Sequence, residues 1–263
     1  MKSTVRFQQS GHVGNIVLCN PPSNELSRRF ADDLLAAVHE ASSRDIRALV
    51  VRAEGPNFGT GGHVPEWPGK TMSWFRTFIA EVNQAYAAIE ALRLPSIAAV
   101  RGVAIGGHYE LVLRCDLVIA AEGATFTWVE SGSGMAPLAG GIQRLAERIG
   151  RSRALSHVLL ARTLKATEAM EIGLVERVVP EGDLDAAVDA LAEELGNGAT
   201  RGYAATRALL KAWSSGGVAG ADELLLELTM DLHASTDAQR AIAGIAAAAA
   251  AGEDFVPPPF TGT

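Results

Sequence analysis

Apolar and polar residues alternate early in the chain, then group into short apolar runs, and finally take a helical period. Val5 and Phe7, followed by Val13, Ile16, Val17 and Leu18, predict a β-hairpin turning near Ser10-Gly11. Asn20-Pro21-Pro22-Ser23-Asn24 breaks that run. Ser27 is placed to cap a helix reaching about Ser42, with Phe30, Leu34 and Val38 on one face. Ile46 to Val51 is a dense apolar run of the kind found in strands covered on both sides, and it leads into a glycine-rich loop, Gly55 to Gly62. A helix from Met72 to about Leu92 follows, then a buried strand at Ile97–Val100 running into Gly102, Gly106 and Gly107. Next come a helix near His108–Arg114, a strand at Asp116–Ala120 and a short strand starting at Phe126. From about Gly141 the pattern is helical, apart from Gly173-Leu174-Val175 and Val178-Val179-Pro180. The tail Val256-Pro257-Pro258-Pro259-Phe260 is expected to be extended and loosely held. Strand and helix alternate first and helices dominate later, which predicts an α/β core with a helical C-terminal part.

The bulk properties narrow the functional classes. A chain of 263 residues with 48% hydrophobic content can bury a sizeable core. Thirty acidic residues against 23 basic ones give a net charge of -7, the wrong sign for a general nucleic-acid binder. Cys19 and Cys115 stand far apart and form no CxxC pair, which fits a reducing cytoplasm. MKSTVRFQQSG lacks the apolar stretch of a secretory signal, and the alanine run 246–251 is too short to span a bilayer, so no membrane association is expected.

Several common sites are excluded by spacing. Gly132-Ser133-Gly134 has Pro137 where a dinucleotide fingerprint needs its third glycine. No G-x-S-x-G elbow and no Walker loop occur. The histidines at 12, 39, 63, 108, 157 and 233 form no HxxxH pair, so no metal site is expected.

Two glycine-rich turns remain, each after a buried strand: Gly59-Thr60-Gly61-Gly62 and Ile105-Gly106-Gly107. Glycine allows positive φ and lets a ligand approach bare backbone. Two such turns side by side can aim two N–H groups at one oxygen, or can simply be tight connections. Glu110 lies three residues beyond Gly107 among Tyr109, Leu111, Val112 and Leu113, where a carboxylate must be solvated, paired or functional. Read alone, Glu130 is a strand-end glutamate before Ser131-Gly132-Ser133-Gly134.

The segment Ile97-Ala98-Ala99-Val100-Arg101-Gly102-Val103-Ala104-Ile105-Gly106-Gly107-His108-Tyr109-Glu110-Leu111, followed by Arg114-Cys115-Asp116-Leu117-Val118-Ile119-Ala120, resembles the signature of the enoyl-CoA hydratase/isomerase (crotonase) family. Phe126 to Leu145, with Glu130, Gly134, Pro137, Gly140-Gly141 and Gln143-Arg144-Leu145, resembles that family's next segment, and Thr167 to Pro180 a third. The likeness runs from Asn24 to about Lys211.

That resemblance implies an α/β fold: a spiral core of ββα turns over residues 1–200, then a helical trimerisation region and extended tail over 201–263, assembled as a homotrimer or homohexamer. It also implies that Gly62 and Gly107 supply an oxyanion hole for a thioester carbonyl and that Glu110 and Glu130 are the catalytic pair. Leu26, Gly61, His63, Val64, Pro65 and His108 are expected around the substrate. The substrate would be an acyl-CoA thioester, its coenzyme A being part of the substrate and no further cofactor being needed. Hydration of a 2,3 double bond is the implied reaction; the alternatives are an isomerase or carbon–carbon hydrolase of the same fold, or a non-catalytic member. The chain departs from the pattern at His63, usually Asp, at Pro65, often Lys, and at His108, usually Gly. It also departs at its alanine-rich end, where the family often carries basic residues.

Overall fold

A computed structural model describes residues 2–262. Strands β1 (Val5–Ser10) and β2 (Val13–Leu18) form the hairpin foreseen from alternation, pairing antiparallel with Ser10 opposite Val13. Helix α1 (Arg28–Ser42) starts where Ser27 accepts a hydrogen bond from the Phe30 N–H, and it buries Phe30, Leu34, Ala37, Val38 and Ala41. Next come β3 (Ala48–Ala53) and α2 (Met72–Ala91), the latter capped by Thr71, then β4 (Ser96–Val100), β5 (Val103–Ile105) and α3 (Gly107–Val112). β6 (Leu117–Ala121), β7 (Thr125–Thr127), α4 (Gly141–Ile149), α5 (Arg151–Leu159), β8 (Leu164–Lys165), α6 (Ala166–Glu171) and β9 (Arg177–Val179) follow.

The larger sheet has the order β1-β2-β3-β4-β6-β9 and is parallel from β2 onward; β5, β7 and β8 make a smaller sheet. Parallel strands are covered on both faces, which is why β3 and β4 read as near-continuous apolar runs. One face of the larger sheet packs on α1 and α2. The other packs Val50, Ile97, Ala99 and Ile119 against Leu184, Val188 and Ala192 of α7 (Leu184–Gly196). The repeated step from a strand of the large sheet to a strand of the small one turns the chain into a spiral. β5 and β8, at three and two residues, were too short to show a period in the sequence.

Helix α8 (Thr200–His233) breaks its helical backbone at Gly217 and leads to α9 (Thr236–Ala251). The tail beyond is extended but not loosely held, contrary to expectation. Asp237 accepts the N–H groups of Thr261 and Gly262 at 2.9 and 2.7 Å, and Arg47 donates to the carbonyls of Phe260 and Thr261. Burial opposes the Asp237 anion, yet these amides outweigh it and hold its pKa below the usual carboxylate range. No helix of the described residues is long and apolar enough to cross a membrane.

Candidate active site

The loop after β3 runs alongside β5: the Gly59 N–H donates to Val103 O and the Ile105 N–H to Gly59 O, at 3.0 and 2.9 Å. This pairing brings the two glycine turns side by side. Gly61, at φ 91°, passes so close that a Cβ there would stand 3.3 Å from Ile105 O. Leu26 pairs with Gly62 as a short parallel bridge, its N–H donating to Gly61 O and its carbonyl accepting from the His63 N–H, both at 2.9 Å. Those bonds turn the Gly62 N–H to the opposite side, where it donates to no group among the described residues. The Gly107 N–H, in the first turn of α3, also has no acceptor among the described residues, as first-turn amides do.

Leu26 also links the second turn, because a Cβ on Gly107 would stand 2.5 Å from its Cδ2. The Tyr86 hydroxyl donates to Gly107 O at 2.8 Å and fixes that peptide from below. Two amides without an acceptor among the described residues, one set by the main chain of Leu26 and the other beside its side chain, can stabilise an oxygen that gains negative charge, because they need no reorganisation as the charge arrives.

Both glutamates flank the second turn. Glu110 is buried on α3, and its Oε1 accepts N–H groups from Ala139 and Gly141 at 2.9 and 2.8 Å. Burial raises its pKa to about 7; the two amides and Arg114 pull downward, while the charge of Glu130 adds to the rise. Glu130 follows β7 and is half-buried, with Oε1 2.6 Å from where a Gly106 Cβ would stand and Oε2 buried without a hydrogen-bond partner among the described residues. Burial raises its pKa too, against the amides of Glu130 and Val129.

A polar clamp behind Glu110 was not foreseen. Arg114, buried, donates to Ala139 O at 2.6 Å, to Glu90 Oε2 at 2.8 Å and to Asn83 Oδ1 at 3.2 Å. Arg144 donates to Gly140 O at 2.8 Å and also pairs with Glu90. The loop that cradles Glu110 is thus held from behind by two guanidinium groups sharing one carboxylate. An arginine next to an apolar helix was the available signal in the sequence.

The remaining expected residues divide. His63 is part-exposed with Nδ1 2.7 Å from Glu25 Oε2, and Val64 and Pro65 are exposed on a 3₁₀ turn, Val64–Glu66. Trp67 covers the loop, since a Gly62 Cβ would stand 2.4 Å from its ring. His108 is not brought to this surface. It has no exposed area and sits edge-on to Phe30 and Phe58, with ring centroids 5.1 and 6.3 Å away. A cavity of about 360 Å³ lies elsewhere, among Arg93, Arg201, Ala205, Glu227 and Asp231, and none of the site residues lines it. No cluster of three or more His, Cys, Asp or Glu suited to a metal occurs among the described residues.

A parallel-sheet spiral with a helical C-terminal region is the architecture of crotonase-fold proteins. The enoyl-CoA hydratase/isomerase family model matches residues 8–247, and the chain belongs to that family. It is 36% identical to a probable enoyl-CoA hydratase of Mycobacterium bovis over 183 residues, which is 69% of this chain and 70% of that one. A probable enoyl-CoA hydratase of Rhodobacter capsulatus is 29% identical over 260 residues, 98% of each chain. The crystal structure of an enoyl-CoA hydratase from Bacillus anthracis superposes with a TM-score of 0.88 at 25% identity, covering 99% of this chain and all of the other.

Proposed function

We propose that this protein hydrates the 2,3 double bond of an enoyl-CoA thioester. The observation that carries this reading is the pair of amides without an acceptor among the described residues, Gly62 and Gly107, tied together by Leu26 beside two buried or half-buried glutamates, the charge of Glu130 raising the pKa of Glu110. The thioester carbonyl oxygen accepts from both amides, which strengthens as the oxygen becomes enolate-like. Glu110, with Oε1 occupied by Ala139 and Gly141, has its other oxygen for water. It takes a proton as the water oxygen bonds to C3 and the π electrons move toward the thioester oxygen. The enolate then takes a proton at C2 from Glu130, and the proton on Glu110 returns through solvent. Burial raises the pKa of both acids, Glu110 to about 7, and the charge of Glu130 adds to the rise on Glu110, so the two titrate as a coupled pair.

On this reading Gly61, His63, Val64 and Pro65 line the path for coenzyme A, and no cofactor beyond the substrate's own coenzyme A takes part. A cytoplasmic location is consistent with two buried free thiols, Cys19 and Cys115. A homotrimer or homohexamer is supported by α8, which leaves Leu210, Trp213, Leu226 and Met230 open in a single chain. The test is the loss of enoyl-thioester absorbance with crotonyl-CoA and longer 2-enoyl-CoA substrates, with Glu130→Gln as control. Turnover in the wild type that the control loses by about a hundredfold or more is expected. Turnover of 3-enoyl-CoA to the 2-enoyl isomer with no hydration would replace hydratase by isomerase.

A further inference from the structure

The buried imidazole of His108 is not used by the mechanism above, although it sits between a donor amide and an acid. It follows Gly107 directly and precedes Glu110 by two positions on the same short helix. Its Nδ1 accepts the N–H of Gly61, at 3.3 Å, and that hydrogen bond is buried and joins the two glycine turns. The space for the ring exists only because residue 59 is glycine, since a Cβ there would stand 2.2 Å from the ring. Phe30 and Phe58 fix its plane from two other sides.

We propose that His108 is a positioning residue: it holds the Thr60-Gly61 peptide, and through Gly61 the adjoining Gly61-Gly62 peptide, in register with Gly107, so that one side chain on α3 couples both oxyanion donors. This rests on the reading that Gly62 and Gly107 hold the thioester oxygen. Gly61 at φ 91° is in a region where only glycine sits easily, so nothing in its own side chain holds the loop there. Leu26 anchors the carbonyl of Gly61, and His108 anchors its N–H. With both faces of residue 61 fixed, the adjoining Gly62 N–H has one direction to point. An acceptor at Nδ1 requires the proton on Nε2, which is buried without a hydrogen-bond partner among the described residues. Burial keeps the ring neutral, pushing its pKa to about 3, so the acceptor persists through the neutral range.

The first test needs no substitution at the readout. Imidazole ¹⁵N spectra of the wild type, with the His108 signal identified by its absence from His108→Asn, are expected to show unprotonated Nδ1 and protonated Nε2 between about pH 6 and 8. A proton on Nδ1 overturns the proposal. The second test compares His108→Leu, which keeps bulk without an acceptor, with His108→Asn, whose Oδ1 falls near the place of Nδ1. His108→Leu is expected to lower kcat by about ten- to a hundredfold with KM within about threefold, and to weaken the enolate absorbance of bound acetoacetyl-CoA. His108→Asn is expected to recover most of both. Full kcat and enolate signal in His108→Leu, or equal impairment in the two variants, overturns the lock. If His108→Leu does not fold, the tautomer and His108→Asn decide. If the wild type neither hydrates enoyl thioesters nor develops the enolate band, the functional reading fails. The lock is then judged by exchange of the Gly61 amide, slow in the wild type and in His108→Asn if the bond exists.

Discussion

Glu110 couples chemistry to stability. Its folded pKa of about 7 stands above the ordinary 4.5 of an unfolded glutamate, so the folded state binds this proton more tightly. The contribution is therefore complete below about pH 4.5 and is lost as pH rises to about 7, on the order of 3 kcal/mol across that window. Glu110→Gln keeps an Oε1 for the Ala139 and Gly141 amides but never ionises. Thermal melts are expected to coincide near pH 4 and to separate by pH 8, with the variant the more stable. Parallel melts at both values would show that burial does not govern this acid. Activity runs the other way: kcat/KM of the wild type is expected to rise through an apparent pKa near 7 that belongs to the pair, and the variant to lose about two to four orders of magnitude. Glu110 was legible in the sequence as a carboxylate among Tyr109, Leu111 and Leu113. Glu130 was not, read alone, because its burial comes from Gly106, which lies next to it only after β5 and β7 have paired. The same holds for His108, whose surroundings of Phe30, Phe58 and Gly59 come from distant segments.

At the level of elements, β3 and β4 and helices α1 and α2 were readable because apolar runs, caps and periods are local. The cradle of Glu110 was not, because it is made between elements: α2 supplies Asn83 and Glu90, the end of α3 leads to Arg114, and α4 supplies Arg144. Arg114 is the centre of that clamp, with three acceptors that only a planar fork reaches at once. Arg114→Lys keeps the charge and loses the fork. The variant is expected to bind substrate with nearly the wild-type KM and to turn over about tenfold more slowly, because the Ala139–Gly141 loop no longer holds Glu110 at a fixed angle. Steady-state kinetics on purified, folded variant decides this, and a change confined to KM would count against a role for the clamp in orienting the acid. Glu90→Gln is expected to act in the same direction but more weakly, since it retains one acceptor for the two arginines.

For the whole molecule, the helical richness after Gly141 was legible, while the backbone break at Gly217 and the pinned tail were not, since both depend on φ angles and partners far along the chain. The tail crosses back to Arg47, between α1 and β3, and so ties α9 to the spiral core. Asp237→Ala removes the acceptor for Thr261 and Gly262, and faster proteolytic trimming of the last residues than in wild type is the expected result. Helix α8 poses the larger question, because of its 34 residues Ala205 is the buried one. Leu210 at 60% exposure, Val218 at 66% and Leu226 at 64% are open on a helix whose first turns are tied to the core by Arg207, which pairs with Asp116 and donates to Leu92 O. A monomer rarely leaves so many large apolar side chains open on one arm, and covering them with other copies removes them from water at about 25 cal/mol per Å². Sedimentation of the wild type is expected to give three or six chains. Replacing Leu210 and Leu226 together by Asp is expected to shift the mass toward one chain and to lower the melting temperature, because the part of α8 beyond Arg207 that leaves these side chains open gains burial from its neighbours. A wild type that sediments as a single chain would mean that α8 is stable in the open, and the case for assembly through this arm would end there.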